Sequence, residues 1–273
     1  MYKYSICACV RITNPFVFVE WLYYHFMIGF EHIYIYDNKS SYSMTELCLR
    51  YKDKVTIYNT DQDCIQIPSY NHFLENHRHE TEYISFLDDD EFINFKDFNC
   101  IDDIMKFMEY PDYLMLNWLM MSCKNRVRNT CSEYLIESNQ TSEKEYNDHI
   151  KVLVKTIYIV EITNPHCLIV YNNIIFKDGT NNSRIFINEM PGFLTLQKSP
   201  IIWINHYYKM SRNEFLLKCE RGKADLLSKR SFIEEFKYDE DYIENDTMNR
   251  WIEKIKTNYK TPLDLIQYST TKN

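Results

Sequence analysis

Between Tyr4 and Leu87 the chain switches repeatedly between the two-residue period of a strand and the longer period of a helix, and few folds accept that order. Residues 4–11 read as a buried first strand. Asn14-Pro15 follows as a helix start, with Asn as N-cap and Pro at the first helical position. Phe16, Val19, Tyr23 and Phe26 recur at helical spacing, and Gly29 can supply the left-handed C-terminal residue. Residues 32–36 alternate as a second strand that opens into the polar turn Asp37-Asn38-Lys39-Ser40-Ser41. A helix at 44–51 with a strand at 55–58, then a helix at 70–82 with a strand at 83–87, repeat the unit. Strand, helix, strand implies a parallel crossover, so the expected class is α/β: a Rossmann-like, mostly parallel sheet with helices on both faces. Ligands of such sheets lie at the carboxyl ends of the strands. Arg11, Asp37 and Asp88 all fall at such ends.

The last of these strands runs into Asp88-Asp89-Asp90-Glu91 before the chain turns apolar again at Phe92. Adjacent carboxylates repel one another and raise each other's pKa unless a cation takes up the charge. Hard oxygen ligands on a short turn suit Mg²⁺ or Mn²⁺, which in turn hold phosphate oxygens. A solvated acidic turn capping the next helix is the plain alternative. Convergence with Arg11 and Asp37 from distant segments favours the ligand site.

Beyond residue 100 the alternation loosens. A helix near 102–109, a strand at 113–121 and a polar stretch at 124–147 are expected, the last with the character of a lid, an acceptor-binding loop or a plain surface loop. Strands follow near 152–154, 168–170 and 201–204. Ser211-Arg212-Asn213-Glu214 is a capping-box pattern, and a closing helix led by Asp246 carries Trp251, Ile252 and Ile255 as its packed stripe. His72, His77 and His79 make no metal pair on one helix face and read as a solvated or packed surface.

A length of 273 residues with 45% hydrophobic content suits one substantial core. The net charge of -8 argues against nucleic acid as a partner. Nine cysteines without zinc-type spacing are expected to be reduced and mostly buried, with Cys7 and Cys9 on one packed face of the first strand. The apolar start is too short for a secretory signal and no later run is long enough to cross a bilayer, so a cytoplasmic protein without a transmembrane segment is expected. The skew towards Tyr, Asn, Ile, Lys and Phe suggests an AT-rich genome such as that of a large DNA virus, in which case the host cytoplasm or the virion is the expected place.

Glu20-Trp21 with Tyr24-His25 and Gly29, the Tyr36 to Ser40 turn, Asp88-x-Asp90-Glu91-Phe92, His206-Tyr207 with Lys209-x-Ser211, and Arg221-Gly222 resemble in order and spacing the motifs of glycosyltransferase family 92 and its relatives of GT-A fold. The family usually has Asn-Glu ahead of the first helix; here Asn14 precedes Pro15 and that carboxylate is missing. The resemblance implies a GT-A domain over 1–225 with a C-terminal helical extension over 226–273 packed on it.

It implies a metal-dependent glycosyltransferase that moves a sugar from a nucleotide sugar, with UDP favoured, to a glycan, glycoprotein or other hydroxyl acceptor, with inversion. Asp88, Asp90 and His206 would meet Mn²⁺ or Mg²⁺, Asp88 alternatively the ribose, while Glu91 would orient the turn or the donor sugar. Arg11, Asp37 and Asn38 would line the nucleotide pocket, and Lys209, Lys218 and Arg221 would offset the diphosphate charge. Trp21 reads as core and Glu20 as a cap or an ion-pair partner. Asn117-Trp118 would floor the sugar site or pack in the core, and His166 matches a family position of undefined role. Inversion demands a general base. Glu133, Glu137 and Asp148 lie in the region expected to face the acceptor, and no spacing singles one out. A phosphohydrolase or nucleotidyltransferase, or a non-catalytic carbohydrate-binding relative, are the competing readings.

Overall fold

The computed structural model describes residues 1–123, 126–184, 192–221 and 242–270. Strands β1 (Tyr2–Val10), β2 (His32–Asn38), β3 (Val55–Thr60) and β4 (Thr81–Phe86) form a parallel block in the order β3-β2-β1-β4. They are joined through α1 (Pro15–Met27), α2 (Met44–Leu47) and α3 (Gln66–His77). Asn14 caps α1 by accepting the Phe16 amide at 3.0 Å, and Gly29 follows with φ of 109°. The helix expected at 70–82 begins earlier, because Pro68 is tolerated within a first turn whose amides need no helical partner, and it ends at His77.

The side chains of each strand divide between the two faces of the sheet. Tyr4, Ile6, Ala8 and Val10 join the core that includes α1 and α4 (Ile101–Phe107), while Cys7 and Cys9 join the opposite core with Phe73 and Leu74 of α3, as expected for one packed face. Beyond β4 the sheet reverses. After β5 (Glu91–Phe95) and β6 (Tyr113–Met120) the polar stretch carries α5 (Leu135–Ser138) and a two-residue strand, β7 (Thr141–Ser142). It then feeds β8 (Asn147–Lys155), which inserts antiparallel between β4 and β6. The hairpin β9 (Ile159–Asn164) and β10 (Cys167–Val170) lies on the α3 side, and β11 (Phe176–Asp178) and β12 (Ser183–Arg184) extend the edge.

The strand β13 (Ile202–His206) runs parallel to the end of β6 and antiparallel to β5. The helix α6 (Arg212–Arg221) follows, with Glu214 N donating to Ser211 Oγ as the capping box predicts; the Glu214 carboxylate, however, turns to Asn14 Nδ2 at 2.9 Å. Near the end, β14 (Ile243–Glu244) pairs with β7, and α7 (Asn249–Lys256) packs Trp251, Ile252 and Ile255 onto the main core, followed by α8 (Pro262–Thr270). Residues 226–241 and 271–273 of the expected extension lie outside the described residues. All nine cysteines are free thiols, and among the described residues no helix is long and apolar enough to cross a membrane.

Candidate active site at the carboxyl edge of the sheet

The acidic run begins where β4 leaves the sheet. Leu87 N still reaches Cys7 O at 3.3 Å, and Asp88 is the first residue beyond the ladder. The turn is locked from within and from both sides. Glu91 Oε2 accepts the Asp88 amide at 2.8 Å, the Glu91 amide returns to Asp88 O at 3.1 Å, Tyr207 N donates to Asp90 O at 2.9 Å, and Trp21 Nε1 donates to Glu91 O at 2.9 Å. Trp21 is fully buried, the core residue expected of it.

This turn gives its carboxylates different environments. Glu91 is fully buried and faces Lys151 Nζ at 3.4 Å. Burial dominates and pushes its pKa up, the Lys151 ammonium offsetting only part of that. Asp88, a third exposed, accepts from Lys151 Nζ at 3.2 Å and from Gln66 Nε2 at 2.9 Å. Burial opposes its ionisation, yet Lys151, with His206 and His166, holds its pKa below the usual carboxylate value. Asp90 is almost fully buried, and Lys218 Nζ of α6 bonds its Oδ2 while also donating to Tyr208 O at 2.9 Å. His206, brought alongside by the pairing of β13 with β5, sets Nε2 3.6 Å from the same oxygen. Burial again opposes ionisation, and Lys218 and then His206 overcome it, so that the Asp90 pKa lies well below the ordinary value.

The turn therefore brings Asp88, Asp90 and His206 to one place. Arg11, at the end of β1, and Asp37 and Asn38, at the end of β2, stand on the same edge because the block is parallel. The Asp37 carboxylate accepts the Ser40 amide at 3.1 Å. Lys209 lies in the turn after β13, and the side chain of Arg221 is outside the described residues. Glu133 pairs with Arg126 at 2.9 Å and Glu137 with Lys256, whereas Asp148 is exposed on β8. Among the described residues Glu20 pairs with no base; its carboxyl caps α5 instead. His72 and His77 bond the hydroxyls of Tyr36 and Tyr58 in a packed aromatic array, as the sequence reading allowed.

Among the described residues no group of three His, Cys, Asp or Glu side chains is arranged to hold a metal ion by itself. The donor set still fits Mn²⁺ or Mg²⁺ in the form that nucleotide enzymes use, in which one or two protein groups share the ion with substrate phosphates. Asp90 Oδ2 and His206 Nε2, which face each other at 3.6 Å, would be those two donors, and the ammonium at Asp90 shows that this carboxylate takes a positive partner. Asp88, held by Lys151 and Gln66, is turned to other partners.

Gln66 and Lys151 were not foreseen from the sequence. Lys151 had a signal, since it interrupts Ile150-Lys151-Val152-Leu153-Val154 and a lysine in a buried strand must meet a carboxylate. Gln66 had none, standing in a polar run ahead of the expected helix. Beside the start of β8 a cleft of about 650 Å³ opens between the 143–148 and 195–199 segments.

A parallel block β3-β2-β1-β4, the reversed strand β8 and an acidic turn at the carboxyl edge define a protein of Rossmann-type, mixed α/β fold. No family model matches the chain. Over 109 residues, 38% of its length, it is 30% identical to a glycosyltransferase family 92 protein of Oryza sativa subsp. japonica; over 98 residues, 33% of its length, it is 32% identical to one of Ricinus communis. The chain spans only 18% and 16% of the lengths of these curated relatives. The resemblance to family 92 read from the motifs is thus met in two plant proteins of that name. Among solved structures it is similar to S. aureus TarS, with a TM-score of 0.37 and 16% identity, covering 56% of this chain and 47% of that one. It is also similar to a putative glucose-1-phosphate thymidylyltransferase from Bacillus anthracis, with a TM-score of 0.34 and 10% identity, covering 56% of this chain and 71% of that one.

Proposed function

We propose that this chain is a glycosyltransferase that moves a sugar from a nucleotide sugar, with UDP as the favoured nucleotide, to a hydroxyl group of a glycan or glycoprotein, inverting the anomeric centre. The observation that carries the reading is the constellation Asp88, Asp90, His206 and Lys218 at the carboxyl edge of a parallel sheet, in a chain similar to family 92 proteins. Cleavage of a sugar–diphosphate bond builds negative charge on the leaving phosphate, so preorganised positive groups at that point lower the barrier. Lys218 supplies one once the diphosphate replaces Asp90 as its partner, and Lys209 and Arg221 are proposed beside it.

A divalent ion, Mn²⁺ or Mg²⁺, would be held by Asp90 and His206 and would act as a Lewis acid on the leaving diphosphate. Asp88, oriented by Gln66 and Lys151, is proposed to accept from a ribose hydroxyl. Arg11, Asp37 and Asn38 are proposed to line the base and ribose pocket, and the cleft beside β8 to admit the acceptor. A reducing compartment such as the cytoplasm suits the nine free thiols.

Calorimetric titration of the purified chain with UDP, in the presence and absence of Mn²⁺, tests this. Binding strengthened by Mn²⁺ is expected, with that strengthening lost in Asp90→Asn. UDP binding that is indifferent to both metal and substitution refutes the site.

A further inference from the structure

On the far side of His206 from the acidic turn stands Trp118, at the end of β6, their ring centroids 4.2 Å apart. Two more imidazoles also lie against Trp118. His149 lies flat against it, with centroids 5.0 Å apart and planes 9° from parallel, and His166 meets it edge-on at 5.1 Å. The aromatic wall thus runs from His206 beside the acids through Trp118 to His149, half-buried on β8, where Phe193 lies against the imidazole with centroids 4.3 Å apart.

The hydrogen bonds of His149 fix its tautomer. Its backbone N–H donates to the side chain of Asn147 at 3.0 Å, and an amide nitrogen could not accept there, so that atom is Oδ1. The same oxygen lies 2.7 Å from His149 Nδ1, and an oxygen already accepting can only accept again, so Nδ1 carries the proton. Nε2 is therefore the lone-pair nitrogen, and it has no hydrogen bond among the described residues. Burial, and then His206, lower the pKa of His149, with Asp148 pulling the other way, which keeps the ring neutral near pH 7. Asn147 also lines the cleft beside β8, so the group that orients the imidazole stands where an acceptor would enter. Of the acids in that region, Glu133 and Glu137 are tied into ion pairs.

We propose that His149 is the general base of the transfer, with Asn147 as its positioning residue; this rests on the glycosyl-transfer reading above. Nε2 takes the proton of the acceptor hydroxyl as that oxygen bonds to the anomeric carbon. The bond from that carbon to the diphosphate oxygen breaks, and its electron pair leaves with the phosphate. The imidazolium then returns its proton to solvent. Other titratable groups around the ring are His206 on β13, His166 in the β9–β10 turn, and Asp148 and Lys151 on its own strand; none of them hydrogen-bonds Nε2.

The test follows UDP release from a panel of UDP-sugars with water as acceptor, using the full chain with Mn²⁺. His149→Gln should lower kcat by about 10²- to 10⁴-fold with donor KM and UDP affinity unchanged, and added imidazole should restore part of the rate of His149→Ala. Asn147→Asp, which sets a carboxylate against Nδ1, should move the acid limb of the kcat profile up by about one pH unit, a change that a purely structural role would not produce. Near-normal kcat in His149→Gln, or an unmoved acid limb in Asn147→Asp, overturns the assignment. If the wild type binds UDP with Mn²⁺ but His149→Gln turns over normally, the base alone is wrong. If the wild type turns over no UDP-sugar and binds no UDP, the transferase reading fails and takes the base with it.

Discussion

Glu20, in the middle of α1, offers a stability measurement whose size and sign follow from its surroundings. It is 1% exposed, and its two oxygens accept the amides of Leu135 at 2.7 Å and Ile136 at 3.0 Å. One helix therefore caps another, and the first turn of α5 has its free N–H groups satisfied by a distant carboxyl. Burial lifts the pKa of that carboxyl from 4.5 to about 8, the two amide donors offsetting part of the effect. Between these values the native state holds a proton that the unfolded chain has released, so stability falls as pH rises from 4.5 to 8 and levels off above. At about 1.4 kcal/mol per pH unit the whole interval amounts to about 5 kcal/mol.

Glu20→Gln has no such slope. Its carbonyl keeps one amide and its NH₂ group faces the other, which costs about 1–3 kcal/mol at pH 5 for the unpaired buried N–H. The variant should thus start less stable than wild type and gain on it by about 1.4 kcal/mol per unit until pH 8. Urea denaturation at half-unit steps from pH 5 to 8.5, with equal m-values, reads the difference directly. A difference that stays constant with pH, or that widens in favour of the wild type, refutes the argument.

Three further outcomes can be checked. Lys151→Met strips the partly exposed Asp88 and the buried Glu91 of their shared cation and should cost about 3–5 kcal/mol in chemical denaturation; Glu91→Gln in the same chain should recover part of that loss, shown by a double-mutant cycle. Asn14→Ala removes both the cap on Phe16 and the bond to Glu214, and should lower stability by about 1–2 kcal/mol in the same assay. Trp251→Ala opens a cavity where α7 meets Asn94 and the core, and a loss of about 3–5 kcal/mol is expected; a change below 1 kcal/mol by denaturation would show that α7 does not belong to the cooperative unit.

The parallel half of the fold was legible because its strands and helices carry unbroken periods, each closed by an Asn cap, a Gly or a polar turn. Legibility ended at the reversal. β8 begins at Asn147 within a stretch that reads as polar loop, and nothing in Asn147-Asp148-His149 announces a strand, since its pairing is supplied by β4 and β6 on either side. His149 was hidden for that reason. The pair Asp88 and Asp90 could be read from local spacing, but the roles of Glu91 and Lys151 depend on tertiary burial that no local pattern encodes. Glu20 likewise shows as an acid on an apolar helix, while its partners lie on a segment far along the chain.

The place of β13 has a consequence for how the chain reaches its final form. β13 is the last strand to join the large sheet, and it fills the gap between β5 and β6 only after more than a hundred intervening residues have been made. A growing chain emerging from the ribosome can close the parallel block long before then, yet Asp90 has neither His206 nor Lys218 to meet it and must stay hydrated. Burial of that carboxylate is thus a late event of high sequence separation, of the kind that slows folding. Protection of the Asp90 turn from hydrogen exchange would then report that β13 and α6 have docked, and not merely that the parallel block has folded.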